Sequence, residues 1–172
     1  MHFVRHAFLE VEDRREVTSV VVIGIGQSLR GDDAAGLEAV RQWRERFPET
    51  ATRSEIRIEA CELPGLMLLD LFAEAEAVVL VDAVQSSAEP GTIHRLGTEE
   101  LASFTAGSKS AHGWGVAETL RLRAQLTYAQ VDIRIIGIEA GQMELGSGLS
   151  QAVESAMPML CKVIEEELHT LL

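Results

Sequence analysis

Residues 21–40 read VVIGIGQSLRGDDAAGLEAV, an apolar run that breaks into glycines and then presents two adjacent aspartates. The β-branched stretch from Ser19 to Gly26 has the pattern of a parallel strand buried on both faces. After it, Ala35, Leu37, Val40 and Trp43 mix with Glu38, Arg41 and Arg44 before Pro48, the pattern of a helix that Asp32 or Asp33 is expected to cap. The unit is therefore β-loop-α, and the loop chemistry indicates what it was built to meet. Gly24-Ile-Gly26-Gln-Ser-Leu29 begins like a dinucleotide fingerprint but has leucine where a third glycine would allow close helix packing. Gly26 and Gly31 have P-loop spacing, yet Asp32 and Asp33 follow instead of Lys and Ser or Thr. Two carboxylates at a helix start repel phosphate and are themselves favoured by the helix dipole, so the loop suits a cation or a hydrogen-bond donor. On the loop alone, a cap plus a solvated surface charge explains the pair equally well.

Working outward, the remaining segments complete an α/β order. Glu55–Cys61 alternates charged and apolar residues, as a strand near a sheet edge does, and residues 63–76 read as a second helix. Ala77–Val84, AVVLVDAV, is a continuous apolar run interrupted only by Asp82 near its end. A carboxylate in such a run needs a reason. Thr92–Leu96 follows after a gap too short for a helical crossover and is read as an antiparallel strand. A serine-rich loop over 98–111, a helix GVAETLRLRAQL, a strand Val131–Ala140 and a closing helix from about Ser150 finish the chain. Pro158 should kink that helix or mark its first turn. The expected architecture is a three-layer α/β/α sandwich on a mixed five-stranded sheet with one strand antiparallel, in a single domain over 1–172 that carries a polar N-terminal extension at 1–17.

Composition narrows the partners. Of 172 residues, 47% are hydrophobic, enough for a substantial core, and 15 Lys and Arg against 27 Asp and Glu give a net charge of −12. That charge opposes nucleic acid and anionic lipid. The charged N-terminus lacks a signal-peptide core and no apolar run reaches membrane-spanning length, so a soluble cytoplasmic protein is expected. Cys61 and Cys161 stand far apart in no CxxC pattern and are expected to be buried apolar residues.

If the strands of Ile23 and Val81 are neighbours, Asp33 and Asp82 converge in the crevice at their carboxyl ends. Among the five histidines, His112 in SAHGWGVAETL lies just before a helix and can point into that crevice, whereas His94 sits inside the antiparallel strand and the others lie near the termini. Two carboxylates and an imidazole make a mixed O,O,N metal site, and the absence of cysteine argues against structural zinc. Ser28 and Ser110 have no triad context.

Four blocks in order, GIGQSLRGDDAAGLEAV, ELPGLMLLDLFAEAEAVVLVDAV, SAHGWGVAETLRL and IIGIEAGQMELGSGLSQAV, resemble the hydrogenase maturation proteases over nearly the whole chain from Val21. The resemblance implies an endopeptidase that removes a C-terminal extension from the large-subunit precursor of a nickel-iron hydrogenase. It implies that Asp33, Asp82 and His112 are the catalytic metal-reading residues, that they recognise nickel already inserted in the substrate, and that no cofactor is permanently bound. A non-catalytic metal-sensing or chaperone-like module using the same crevice is the alternative. The chain departs from the family pattern at Gln27 for asparagine, Ala34 for glycine after the acid, ACELPG with Glu62 after the second strand, and Ala140 for proline. Glu62 either takes the place of the carboxylate that family members carry in that loop or is simply exposed, and exposure is the favoured expectation.

Overall fold

A computed structural model describes residues 20–62, 64–72, 75–97, 100, 116–125 and 131–172. Its strands are β1 (Val20–Ile25), β2 (Ile56–Cys61), β3 (Ala77–Val84), β4 (Ile93–Gly97) and β5 (Asp132–Glu139). They form a five-stranded sheet in the order β2-β1-β3-β5-β4, in which only β4 runs antiparallel, against β5. The helices are α1 (Ala35–Arg46), α2 (Pro48–Ala51), α3 (Met67–Leu71), α4 (Val116–Gln125) and α5 (Gln151–Leu171). This is the α/β/α architecture expected from the sequence.

Alternation along the strands divides the core in two. Val20, Val22, Val79, Val81, Ile136 and Ile138 pack with Trp43 of α1 and Met157, Leu160 and Ile164 of α5. Val21, Ile23, Val78, Leu80, Ile133 and Ile135 face the other way, onto Leu68 of α3 and Leu120 of α4. Central strands covered on both sides must be apolar at every position, hence the unbroken runs of β1 and β3. β2 lies at the sheet edge, and its mixed composition matches its half-buried positions. Both cysteines are buried, as expected.

Two local expectations are corrected and a third is narrowed. Neither Asp32 nor Asp33 caps α1: both lie in a 3-10 turn, Gly31–Ala34, and the cap position is Ala34 with no side-chain bond. The helix expected over 63–76 is confined, among the described residues, to Met67–Leu71, after Gly65 turns the chain at a φ of 137°. Pro158 lies inside α5 and not in its first turn, and the helix starts directly after Ser150 as expected, the Ser150 hydroxyl accepting from the Val153 amide at 3.4 Å. The N-terminal extension, the loop carrying Ser110 and His112 lie outside the described residues.

Candidate functional site

The site begins with how α1 is seated. A Cβ on Gly36 would lie 2.2 Å from the Val81 carbonyl oxygen and 2.3 Å from that of Ile25, so only glycine lets the helix rest on the ends of β1 and β3. Close helix packing, which a dinucleotide fingerprint assigns to a glycine at the position of Leu29, falls here to Gly36. Gly26, with φ at 152°, turns the chain under the carbonyl of Asp33, which a Cβ would approach to 1.9 Å. These two glycines press the 3-10 turn and both aspartates onto the carboxyl ends of the central strands.

The aspartates then part ways. Asp32 is fully buried and its carboxylate reaches into the loop between β5 and α5. There Oδ2 accepts from the amides of Gly141 at 2.7 Å and Gln142 at 2.9 Å, and Oδ1 accepts from the amide of Ser150 at 2.6 Å. The Asp32 amide donates back to the Gln142 carbonyl at 2.8 Å. Each of those bonds to the buried carboxylate contributes about 1 kcal/mol, so Asp32 is the clamp between the two loops. Its side chain is fully engaged in this task.

Asp33 is equally buried but belongs to the crevice. β1 and β3 are adjacent and parallel as expected, with Gly24 opposite Val81, and Asp33 lies close enough to Asp82 for its charge to act there. The carboxylate oxygen Oδ1 of Asp82 is inaccessible and has no hydrogen-bond partner. Burial pushes the Asp82 carboxyl up to about 7, opposed in part by a hydrogen bond from the Ala83 backbone and reinforced by the charge of Asp33. A desolvated oxygen without a donor, beside a second carboxylate, is an environment that a proton or a metal cation would satisfy. Among the described residues no group of three His, Cys, Asp or Glu side chains gathers around a metal position, so this part of the crevice offers two oxygen-bearing side chains. His112, expected as the nitrogen ligand, lies outside the described residues.

Sequence reading passed over a further buried acid at this end. Glu139 closes β5 at 2% exposure, and its carboxylate accepts from the amides of Ser86 and Ser87 and from the Ser86 hydroxyl. His94 Nε2, placed in β4 as expected, stands 3.3 Å from its Oε2. The available signal was form: IIGIEA, like VLVDAV, is an apolar strand ended by an acid. Glu62 is exposed and Gln27 half-buried.

The chain and its fold have known counterparts. A family model described as HycI, hydrogenase maturation protease, matches residues 63–167. The chain belongs to the hydrogenase maturation protease family. A hydrogenase expression/formation protein, HupD of Rhodobacter capsulatus, is 31% identical over 137 residues, which cover 78% of this chain and 63% of that protein. The chain thus spans just under two thirds of that relative. Among solved structures of hydrogenase maturation proteases, HybD from Thermococcus kodakarensis superposes with a TM-score of 0.68 at 27% identity, covering 86% of this chain and 97% of that one. The maturating endopeptidase HybD from E. coli shares the fold, with a TM-score of 0.75 at 22% identity over 88% of this chain and 93% of that one.

Proposed function

We propose that this hydrogenase maturation protease family member is an endopeptidase that removes the C-terminal extension of a nickel-iron hydrogenase large-subunit precursor after nickel insertion. The observation that carries the reading is the pairing of Asp33 with Asp82 at the carboxyl ends of β1 and β3, in a chain of this family. Nickel is part of the substrate in this reading, and no resident cofactor is required. Asp33 and Asp82 supply oxygen ligands to the precursor's metal, with His112 as the nitrogen ligand. Nickel binding replaces the proton that burial favours on Asp82, so the affinity of the site rises with pH. Held this way, the metal fixes the precursor's C-terminal segment against the crevice and orients the scissile peptide for attack by water. With Asp82 on the metal, the metal can polarise the scissile carbonyl or lower the pKa of a water bound to it, and a carboxylate oxygen left free of the metal can take the proton of the attacking water.

A protein substrate also suits the surface around the crevice. Of six exposed large hydrophobic residues among those described, Leu29, Leu66 and Leu145 lie on loops that follow β1, β2 and β5, and Met67 opens α3 directly after Leu66, all on the connections that leave the strand ends carrying the carboxylates. Leu29 and the Leu145 turn are joined by the bond from the Gly146 amide to the Leu29 carbonyl, 2.8 Å. No helix among the described residues is long and apolar enough to cross a membrane. In this reading the protein works in the cytoplasm.

The test is incubation of the hydrogenase large-subunit precursor, with and without nickel, and mass spectrometry of the C-terminal peptide. Release from the nickel-loaded precursor alone is expected. Stable binding without release would replace the protease with a metal-sensing module.

A further inference from the structure

One residue holds the turn that leaves the site. The chain emerges from β3 two residues beyond Asp82 and runs through Gln85–Thr92 before β4. Glu139 grips this turn at base and tip. Its backbone carbonyl accepts from the Gly91 amide and its amide donates to the Thr92 carbonyl, both at 2.8 Å. Its Oε1 accepts from the amides of Ser86 at 2.7 Å and Ser87 at 3.0 Å, and its Oε2 accepts from the Ser86 hydroxyl at 2.7 Å. A 2%-exposed carboxylate satisfied almost wholly by one turn has that turn's shape as its structural consequence.

The shape is unusual. Ser87 has φ at 75°, the left-handed region, and it is the only non-glycine residue among those described with a positive φ. Such a conformation is unfavourable for a residue with a Cβ and persists where surrounding bonds over-determine it, as Glu139 Oε1 does here. Ser87 and Gln85 are nevertheless exposed, so the strain does not serve to bury them. It presents their polar groups in a set orientation at the carboxyl end of β3, beside Asp82.

From this we infer that the Gln85–Ser87 turn is a preorganised binding contact for an extended polypeptide segment of the precursor, and that Glu139 is its positioning residue. The inference rests on the endopeptidase reading and adds the part of the chain that receives the peptide beside the carboxylate pair. A rigid turn lowers the ordering cost of binding without touching the reacting atoms, so its loss should appear in KM while kcat is retained.

The experiment measures kcat and KM for the nickel-loaded precursor, precursor affinity by surface plasmon resonance, and Tm, for wild type, Glu139→Gln, Glu139→Ala and Ser87→Gly. Glu139→Gln keeps one acceptor for the two serine amides and should raise KM by about threefold, while Glu139→Ala should raise it by about thirtyfold. Ser87→Gly is the separating variant. Glycine accepts the left-handed conformation without strain, so Tm should hold or rise while KM and the dissociation constant rise by about threefold to tenfold. A purely structural role predicts that affinity follows Tm. Unchanged KM and affinity in Ser87→Gly and Glu139→Gln, with wild type active, would overturn the inference and leave the protease reading intact. A wild type that binds the precursor without cleaving it would overturn the protease reading, and the affinities would still decide the role of the turn.

Discussion

Asp32 and Asp82 lie at the same end of the sheet and live in opposite environments. Asp32 is buried with three backbone donors on its carboxylate, whereas Asp82 keeps a buried oxygen that no donor reaches and is pushed up to about 7. The first environment saturates the side chain and holds the two loops around it. The second keeps a carboxylate destabilised until a proton or a cation arrives, and it marks the residue placed for chemistry. Family membership alone does not separate these two acids; their donors do.

The comparison breaks most decisively at the site itself. Asp82→Asn and Asp33→Asn should reduce precursor processing by at least about a thousandfold, checked by mass spectrometry of the released peptide. The Asp82 variant should also be more stable at pH 7.5, by about 1–3 kcal/mol in urea unfolding, because a desolvated charge facing Asp33 is removed. Substantial cleavage by folded Asp82→Asn protein would place the chemistry elsewhere.

Asp32→Ala should do the reverse. Three backbone amides lose a buried acceptor, so we expect a loss of about 3 kcal/mol in urea unfolding, with activity falling because the loop carrying Asp33 loosens. A loss below about 1 kcal/mol would mean that water or a neighbour takes the place of the carboxylate.

pH sharpens the contrast without a substitution. The folded-state value of Asp82 lies above the unfolded one, so the native state holds its proton over the interval from about 4 to 7. The contribution of this group to stability is therefore full below about pH 4 and is lost as pH rises through 7. Urea unfolding of wild type minus that of Asp82→Asn should show the decline, while nickel-dependent processing should rise over the same range as the ligand deprotonates. A pH-independent difference would show that Asp82 is not the titrating group.

The smallest effect is expected at the far end of α1. There the Trp43 indole donates to Glu165 at 2.8 Å, and Thr50 donates to the same carboxylate. Trp43→Phe should cost about 1–2 kcal/mol and leave KM and kcat unchanged, since this polar network lies away from the crevice. A fall in processing there would mean that the α1 packing governs the site more than the clamp does.

Much of this was legible in the chain, for a definite reason. Strands covered by helices on both faces leave continuous apolar runs, so β1, β3 and β5 were readable, and a lone acid in such a run, Asp82, stood out. Asp33 was readable only with β1 and β3 assumed adjacent. The division of labour between Asp32 and Asp33 was not readable, because the donors to Asp32 are backbone amides 109 to 118 residues away. Glu139 was hidden for the same reason: its donors are amides and a hydroxyl of Ser86 and Ser87, more than 50 residues distant.

Sequence by itself therefore determined the layers, the strand directions and the placing of Asp32, Asp33 and Asp82 near strand ends, because periodicity and local turn chemistry act over a few residues. Tertiary structure alone decided which acid is saturated, which is left wanting a cation and which holds a turn. Those outcomes depend on backbone donors that carry no residue-specific signature and meet their acceptors only when the sheet has formed.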